Sequence, residues 1–134
     1  MPNFEELDAF QYAVDLSVAI YRATSEFPKD ERYELKKQLR SASISVVSNI
    51  AEGQGRLTNG EWRQFLSQAR GSLFEMQAQL IVALRLELLD EAQHRRLRGA
   101  VIKVAKPLAG LIDYVRRREA RQPTTDNARS DQGG

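Results

Sequence analysis

Two carboxylates and a set of small polar side chains stand out as the groups in this chain that could do chemistry. Ser45, Ser48, Asn49 and Glu52 recur at i, i+3, i+4 and i+7, and Ser72 and Glu75 follow on a second segment with Gly71, flanked by Gln68 and Gln79. That spacing gathers each set on one face of a helix. Two facing carboxylates are the raw material of general acid–base catalysis, so a carboxylate-based enzyme using Glu52 and Glu75 is one reading. The other is a hydrogen-bonded network between helices or subunits, since small residues let backbones approach and a buried polar group left unpaired costs about 1–3 kcal/mol. The network is the preferred reading.

The remaining inventory argues against catalysis. Glu91-x-x-His94 has a di-iron spacing, but His94 is the only histidine and a bundle di-iron centre needs two such motifs plus two more glutamates. There is no cysteine, hence no thiolate metal site, no disulfide and no cysteine nucleophile. Gly53-Gln54-Gly55 is too short for a nucleotide-binding loop. The residues therefore imply no cofactor, no metal and no catalytic set, and the chain reads as a non-enzymatic protein.

Charge offers a second possible chemistry. Net charge is only +2, but it is unevenly placed. Residues 1–30 hold six acidic side chains (Glu5, Glu6, Asp8, Asp15, Glu26, Asp30) and two basic ones. Residues 91–118 hold two acidic ones and eight basic ones: Arg95, Arg96, Arg98, Lys103, Lys106, Arg116, Arg117 and Arg118. These eight are candidates for contacting the phosphates of RNA or DNA. The competing reading is neutralisation by the acidic first segment, because the first and last helices of a bundle are neighbours.

Four amphipathic segments must position these groups. The first runs from about Leu7 to Ser25 with Leu7, Phe10, Val14, Val18 and Tyr21 as its apolar stripe, and Phe27-Pro28 ends it. The second spans about residues 30–52 on Leu35, Leu39, Ala42, Val46 and Ile50; its middle, Ser41 to Val46, alternates like a strand, but the long 3.6-residue period favours helix. Gly53 and Gly55 are expected to stop it in a left-handed cap. In the third, Thr58 and Glu61 suggest a capping box, Leu57 and Trp62 a hydrophobic staple, and the stripe runs through Phe65, Leu66, Ala69, Leu73, Met76, Leu80 and Leu84 to Leu88. Asp90 is the expected N-cap of the fourth, which carries Leu97, Val101, Val104, Leu108, Leu111 and Val115 and should kink before Pro107. The expected fold is all-α: an up-down-up-down left-handed four-helix bundle over residues 1–118, with residues 119–134 as a disordered tail.

The charge-interrupted segments give no membrane span and the acidic start no signal peptide, so the chain reads as cytoplasmic. Ile44, Val47, Ile81 and Val82 fall outside any single narrow stripe and leave apolar surface to bury, which points to a homo-oligomer.

The run Phe27-Pro28-x-x-Glu31-x-Tyr33-x-Leu35-x-x-Gln38-Leu39-Arg40 resembles the start of the second helix in the four helix bundle protein family. That family is also called the 23S ribosomal RNA intervening-sequence protein, or S23-like, family. The likeness continues through Ser45-Val46-Val47-Ser48-Asn49-Ile50-Ala51-Glu52-Gly53-x-Gly55-Arg56, then Glu61-x-x-x-Phe65-Leu66 and Ala69-x-Gly71-Ser72-x-x-Glu75, covering about residues 4–115. Val47 stands where the family often has proline, and Phe10 where it often has tryptophan. The resemblance implies a bundle fold and ring-shaped homo-oligomers, with pentamers as the assembly of relatives. Some members are encoded inside intervening sequences of ribosomal RNA genes, and related bundles act as accessory factors to reverse transcriptases, where a basic surface engages nucleic acid. It implies no activity. The readings left open are an oligomeric bundle that binds RNA or DNA, a pure structural scaffold, and the carboxylate-based enzyme.

Overall fold

The computed structural model describes residues 3–29 and 33–121. A short 3-10 turn (Phe4–Glu6) leads into α1 (Asp8–Thr24), followed by α2 (Tyr33–Gln54), α3 (Asn59–Arg85) and α4 (Glu91–Arg121). Each helix packs on its sequence neighbour, α1 also packs on α4, and the backbones of the two diagonal pairs stay more than 8 Å apart between Cα atoms. The four helices thus stand at the corners of a square around one core, an all-α bundle. No helix of the described residues is long and apolar enough to cross a membrane.

The core face of α1 differs from the expected stripe. Ala9, Ala13, Leu16, Ser17, Ile20 and Thr24 are buried, whereas Val18 and Tyr21 are 43% and 40% exposed. Phe10, Val14, Val18 and Tyr21 each follow a buried residue by one position, about 100° around the helix. The physical reason is size. The small side chains of Ala13 and Ser17 let α1 sit close to α2, where the Ser17 and Ser43 hydroxyls meet at 3.0 Å in the interior. Ser43 donates to the Arg40 carbonyl, so Ser17 supplies the hydrogen between the pair. Arg40 in turn closes the C-terminal end of α1. Its Nε donates to Thr24 Oγ1, its Nη2 to the Tyr21 carbonyl, and its guanidinium lies 4.5 Å from the Tyr21 ring centre. A cation is favoured at that negative end of the helix dipole.

In α2 the alternating Ser41–Val46 stretch is helical, with Ala42, Ser43 and Val46 inward and Ile44 outward. Leu39, Val46 and Ile50 are fully buried, as the 3.6-residue period requires. The helix does not end in a left-handed glycine. It continues through Gly53 to Gln54, and no described glycine has positive φ. Gly53 serves close packing instead: a Cβ there would sit 3.0 Å from both Phe65 Cβ and Trp62 Cδ1.

Thr58 caps α3 as expected, its Oγ1 accepting from the Glu61 N–H at 3.1 Å. The staple does not form, because Leu57 is 99% exposed while Trp62 turns into the core. The core stripe of α3 is Trp62, Leu66, Ala69, Leu73, Met76, Leu80 and Ala83. Asp90 and Gln93 cap α4 reciprocally: the Gln93 N–H donates to Asp90 Oδ1 and the Asp90 N–H to Gln93 Oε1. Helix α4 runs unbroken through Pro107 and buries Leu97, Val101, Val104, Leu108, Ile112 and Val115, with Ile112 taking the place expected of Leu111. It reaches Arg121, beyond the expected boundary at 118; residues 122–134 of the expected tail lie outside the described residues.

Between α3 and α4 the chain turns on Glu87, whose φ of 62° is the single positive value at a non-glycine among the described residues. Leu88 N–H donates to the Ala83 carbonyl and Glu87 N–H to that of Leu84, the paired bonds of a Schellman cap. A side chain in this region costs about 1–2 kcal/mol, and glycine's extra chain entropy returns about 0.5–1 kcal/mol of it. Glu87→Gly is therefore expected to stabilise the protein by about 0.5–1 kcal/mol in chemical denaturation, given those two opposing costs. An unchanged or lowered midpoint would contradict the strain.

Candidate functional site

The polar residues singled out from the sequence do not form one constellation. Ser45 and Ser72 join α2 to α3 through a 2.8 Å hydroxyl contact. Asn49 Nδ2 donates back along α2 to the Ser45 carbonyl at 2.8 Å and to its hydroxyl at 3.0 Å. These three make a half-buried seam between the helices. Glu75 stands apart, exposed, and accepts from Gln79 Nε2 at 3.1 Å. Gln79 is itself buried, and its Oε1 has no partner. Ser48 is half-buried and Glu52 exposed, and neither hydrogen-bonds to the Ser45–Asn49–Ser72 seam through its side chain. Among the described residues, no three His, Cys, Asp or Glu side chains come together as a metal site.

The eight basic residues of α4 divide over its surface. Arg98 lines a hollow with Ile81 and His94, and Arg116 lines a groove with Arg70 and Phe74; both belong to the α3 side. Arg96 belongs to the α1 side, in a depression with Ala19, Arg22 and Glu26. Lys103 is also on that side, its Nζ 4.7 Å from the Tyr12 ring centre. Arg118 is half-buried and donates from Nη1 to the Tyr114 hydroxyl at 2.9 Å. Arg95, Lys106 and Arg117 are exposed. Although α1 and α4 are neighbours, no ion pair joins the acids of α1 to these bases among the described residues. Arg96, Lys103 and Arg117 fall at i, i+7 and i+21, with Gly110 at the intervening i+14. Seven-residue steps keep nearly the same direction on a helix, drifting about 20° each, so the three cations form one line, about 10 Å per step.

One ion pair escapes sequence inspection. Arg63, at the start of α3, donates from Nε to Glu119 Oε2 at 2.7 Å, with Nη2 at 3.5 Å from Oε1. The hydrogen bond to Glu119, and then its charge, raise the Arg63 pKa above the usual guanidinium value. The partners are 56 residues apart, and nothing in the local pattern of either signals the other. The same end of the bundle holds the Trp62–Tyr114 edge-to-face pair, centroids 6.2 Å apart, and Arg56 stacked 4.2 Å from the Phe65 ring centre. Here the Gly53-x-Gly55-Arg56 motif meets α3: glycine admits the rings, and the arginine covers one of them.

Residues 5–110 match the family described as 23S rRNA-intervening sequence protein. The chain belongs to that family. A solved structure from Bacteroides thetaiotaomicron, titled a protein with unknown function from the S23 ribosomal protein family, superposes with a TM-score of 0.73. It is 17% identical, and the match covers 78% of this chain and 95% of that one. At that identity the likeness is one of fold. No curated protein matches. Within the family signature, Ser45, Asn49 and Ser72 are the seam between α2 and α3, and Gly53 is the close contact with α3.

Proposed function

We propose that this S23-like protein is a non-enzymatic, homo-oligomeric bundle of the cytoplasm that binds structured RNA through α4. The observation that carries the reading is the line of Arg96, Lys103 and Arg117, none of which forms an ion pair with an acidic side chain of the described residues. Phosphate recognition needs cations that are solvated, on one surface and free to exchange counterions. Repetition around an oligomer multiplies a weak contact made by each subunit. Against the carboxylate-enzyme reading, Glu52 and Glu75 are both exposed and neither hydrogen-bonds to the other, so nothing holds one proton between them. The scaffold reading remains the competitor.

The test is a titration of labelled structured RNA at low and moderate salt. Binding should weaken steeply as salt rises, with a log–log slope of about −2 to −3 per engaged subunit for three neutralised phosphates. Changing Arg96, Lys103 and Arg117 to glutamate should abolish it and leave the helical circular dichroism intact. Absence of binding at low salt, or binding indifferent to the triple change, leaves the scaffold.

A further inference from the structure

A second group of cations lies away from α4. Lys36, Lys37 and Arg40 line a depression of about 580 Å³ between the C-terminal end of α1 and the first half of α2, with Tyr21, Ser41 and Ile44. No acidic side chain is among its described lining residues, and none of the described residues forms an ion pair with the three cations. Arg40 gives the depression a fixed element. Its Nε and Nη2 donate to Thr24 Oγ1 and the Tyr21 carbonyl, and the Tyr21 ring centre lies 4.5 Å from the guanidinium. Its Nη1 has no acceptor among the described residues, so the group is oriented without being neutralised. Ser41, one turn beyond Lys37, adds an exposed hydroxyl.

We propose that this depression binds a compact polyphosphate, either inorganic tripolyphosphate or the triphosphate tail of a nucleotide. Spacing separates it from the line on α4. Lys36 and Arg40 are about 6 Å apart along the helix axis, whereas Arg96, Lys103 and Arg117 stand about 10 Å or more from one another. Widely spaced cations suit an extended backbone. Three cations gathered on little more than one turn instead meet consecutive phosphates of one short chain, where charge-assisted hydrogen bonds are strongest. The form bound is free of metal. Magnesium would draw on the same phosphate oxygens as the cations, and the described lining offers no carboxylate to hold it. Tyr21 and Ile44, 40% and 45% exposed, place apolar surface at the rim, against which the base of a nucleotide can rest.

Isothermal titration calorimetry of the full chain at low salt, with sodium tripolyphosphate and then ATP, tests this. Tripolyphosphate should bind saturably and far more tightly than orthophosphate, and excess magnesium should weaken it. Changing Lys36 and Lys37 together to glutamine should weaken binding by about tenfold or more, the cost of losing charge-assisted hydrogen bonds, with helical circular dichroism intact. Changing Arg96, Lys103 and Arg117 to glutamate should leave tripolyphosphate binding as it is, so this site and the RNA surface stand or fall separately. Tighter binding of ATP than of tripolyphosphate assigns the site to nucleotides, and equal or weaker binding assigns it to the phosphate chain alone. No binding at low salt would overturn the proposal. So would binding indifferent to the two lysines, binding lost with the α4 cations, or binding strengthened by magnesium.

Discussion

Gly53→Val should lower stability by about 3 kcal/mol, the upper range for forcing extra methyl groups into a packed interior. In a domain of this size that corresponds to a fall of roughly 10 °C in Tm. The loss arises although glycine inside a helix is about 1 kcal/mol less favourable than alanine, so propensity alone predicts a gain. Packing overrides it. A Cβ at position 53 meets Phe65 Cβ and Trp62 Cδ1 at 3.0 Å, and Phe65 Cβ is fixed to the α3 backbone and cannot swing away. Gly71, midway along α3, provides the control, since a Cβ there has nothing within 4 Å. Gly71→Ala should raise stability by up to about 1 kcal/mol through helix propensity. Thermal melts followed by circular dichroism separate the two, and a Gly53→Val protein melting with the wild type would remove the packing argument.

The contrast between these glycines bears on what a sequence can reveal. The four helices, the caps at Thr58 and Asp90, the core stripe of α2 and that of α3 as far as Leu80 follow from periodicity and local hydrogen-bond chemistry and are legible. Beyond Leu80 the buried residues are Ala83 and Leu89 in place of the expected Leu84 and Leu88, and α3 ends at Arg85. The phase of α1 is not legible. Two apolar stripes lie one residue apart on that helix, and hydrophobicity favours the larger one, Phe10–Val14–Val18–Tyr21. The core takes the stripe that combines Leu16 and Ile20 with the small Ala13 and Ser17, which let α1 approach α2 closely enough for Ser17 to reach Ser43. Hydrophobicity counts what could be buried but does not identify the surface that buries it. A stripe left facing outward is then informative about assembly. Gly53 is misjudged for a related reason: glycine signals both helix termination and close approach, and only the position of Trp62 decides between them.

For the candidate site, spacing places Ser45 and Asn49 on one helical face and Ser72 on another, and the fold brings these three together. It leaves Glu52 and Glu75 in solvent because each lies further round its helix, beyond the contact line between α2 and α3. The Arg63–Glu119 pair could not be anticipated, since it depends on where the two helices end relative to one another. Counting cations along α4 also conceals that they divide between a groove and an open face, a division fixed by the 100° step and the neighbours of α4.

The second large effect centres on Trp62, the only tryptophan of the chain. It is 93% buried, closes over Gly53 and meets the Tyr114 ring edge-to-face, so one side chain ties α2, α3 and α4 together at one end. Trp62→Ala should cost about 3–5 kcal/mol, the range for deleting a large aromatic from a core. Trp62→Phe should cost less than half as much. It keeps a ring against Tyr114, and it removes an indole N–H that lies buried without a partner, a group that costs about 1–3 kcal/mol to leave unpaired. The same geometry predicts coupling. With Trp62 truncated, one of the two atoms opposing a Cβ at position 53 is gone. Gly53→Ala should then be better tolerated in the Trp62→Ala background than in the wild type, by about 1 kcal/mol, within the range seen for residues in contact. Chemical denaturation of the four proteins in this cycle measures the coupling directly. Additivity to within about 0.5 kcal/mol, as for independent sites, would mean that Trp62 and residue 53 do not compete for the same space.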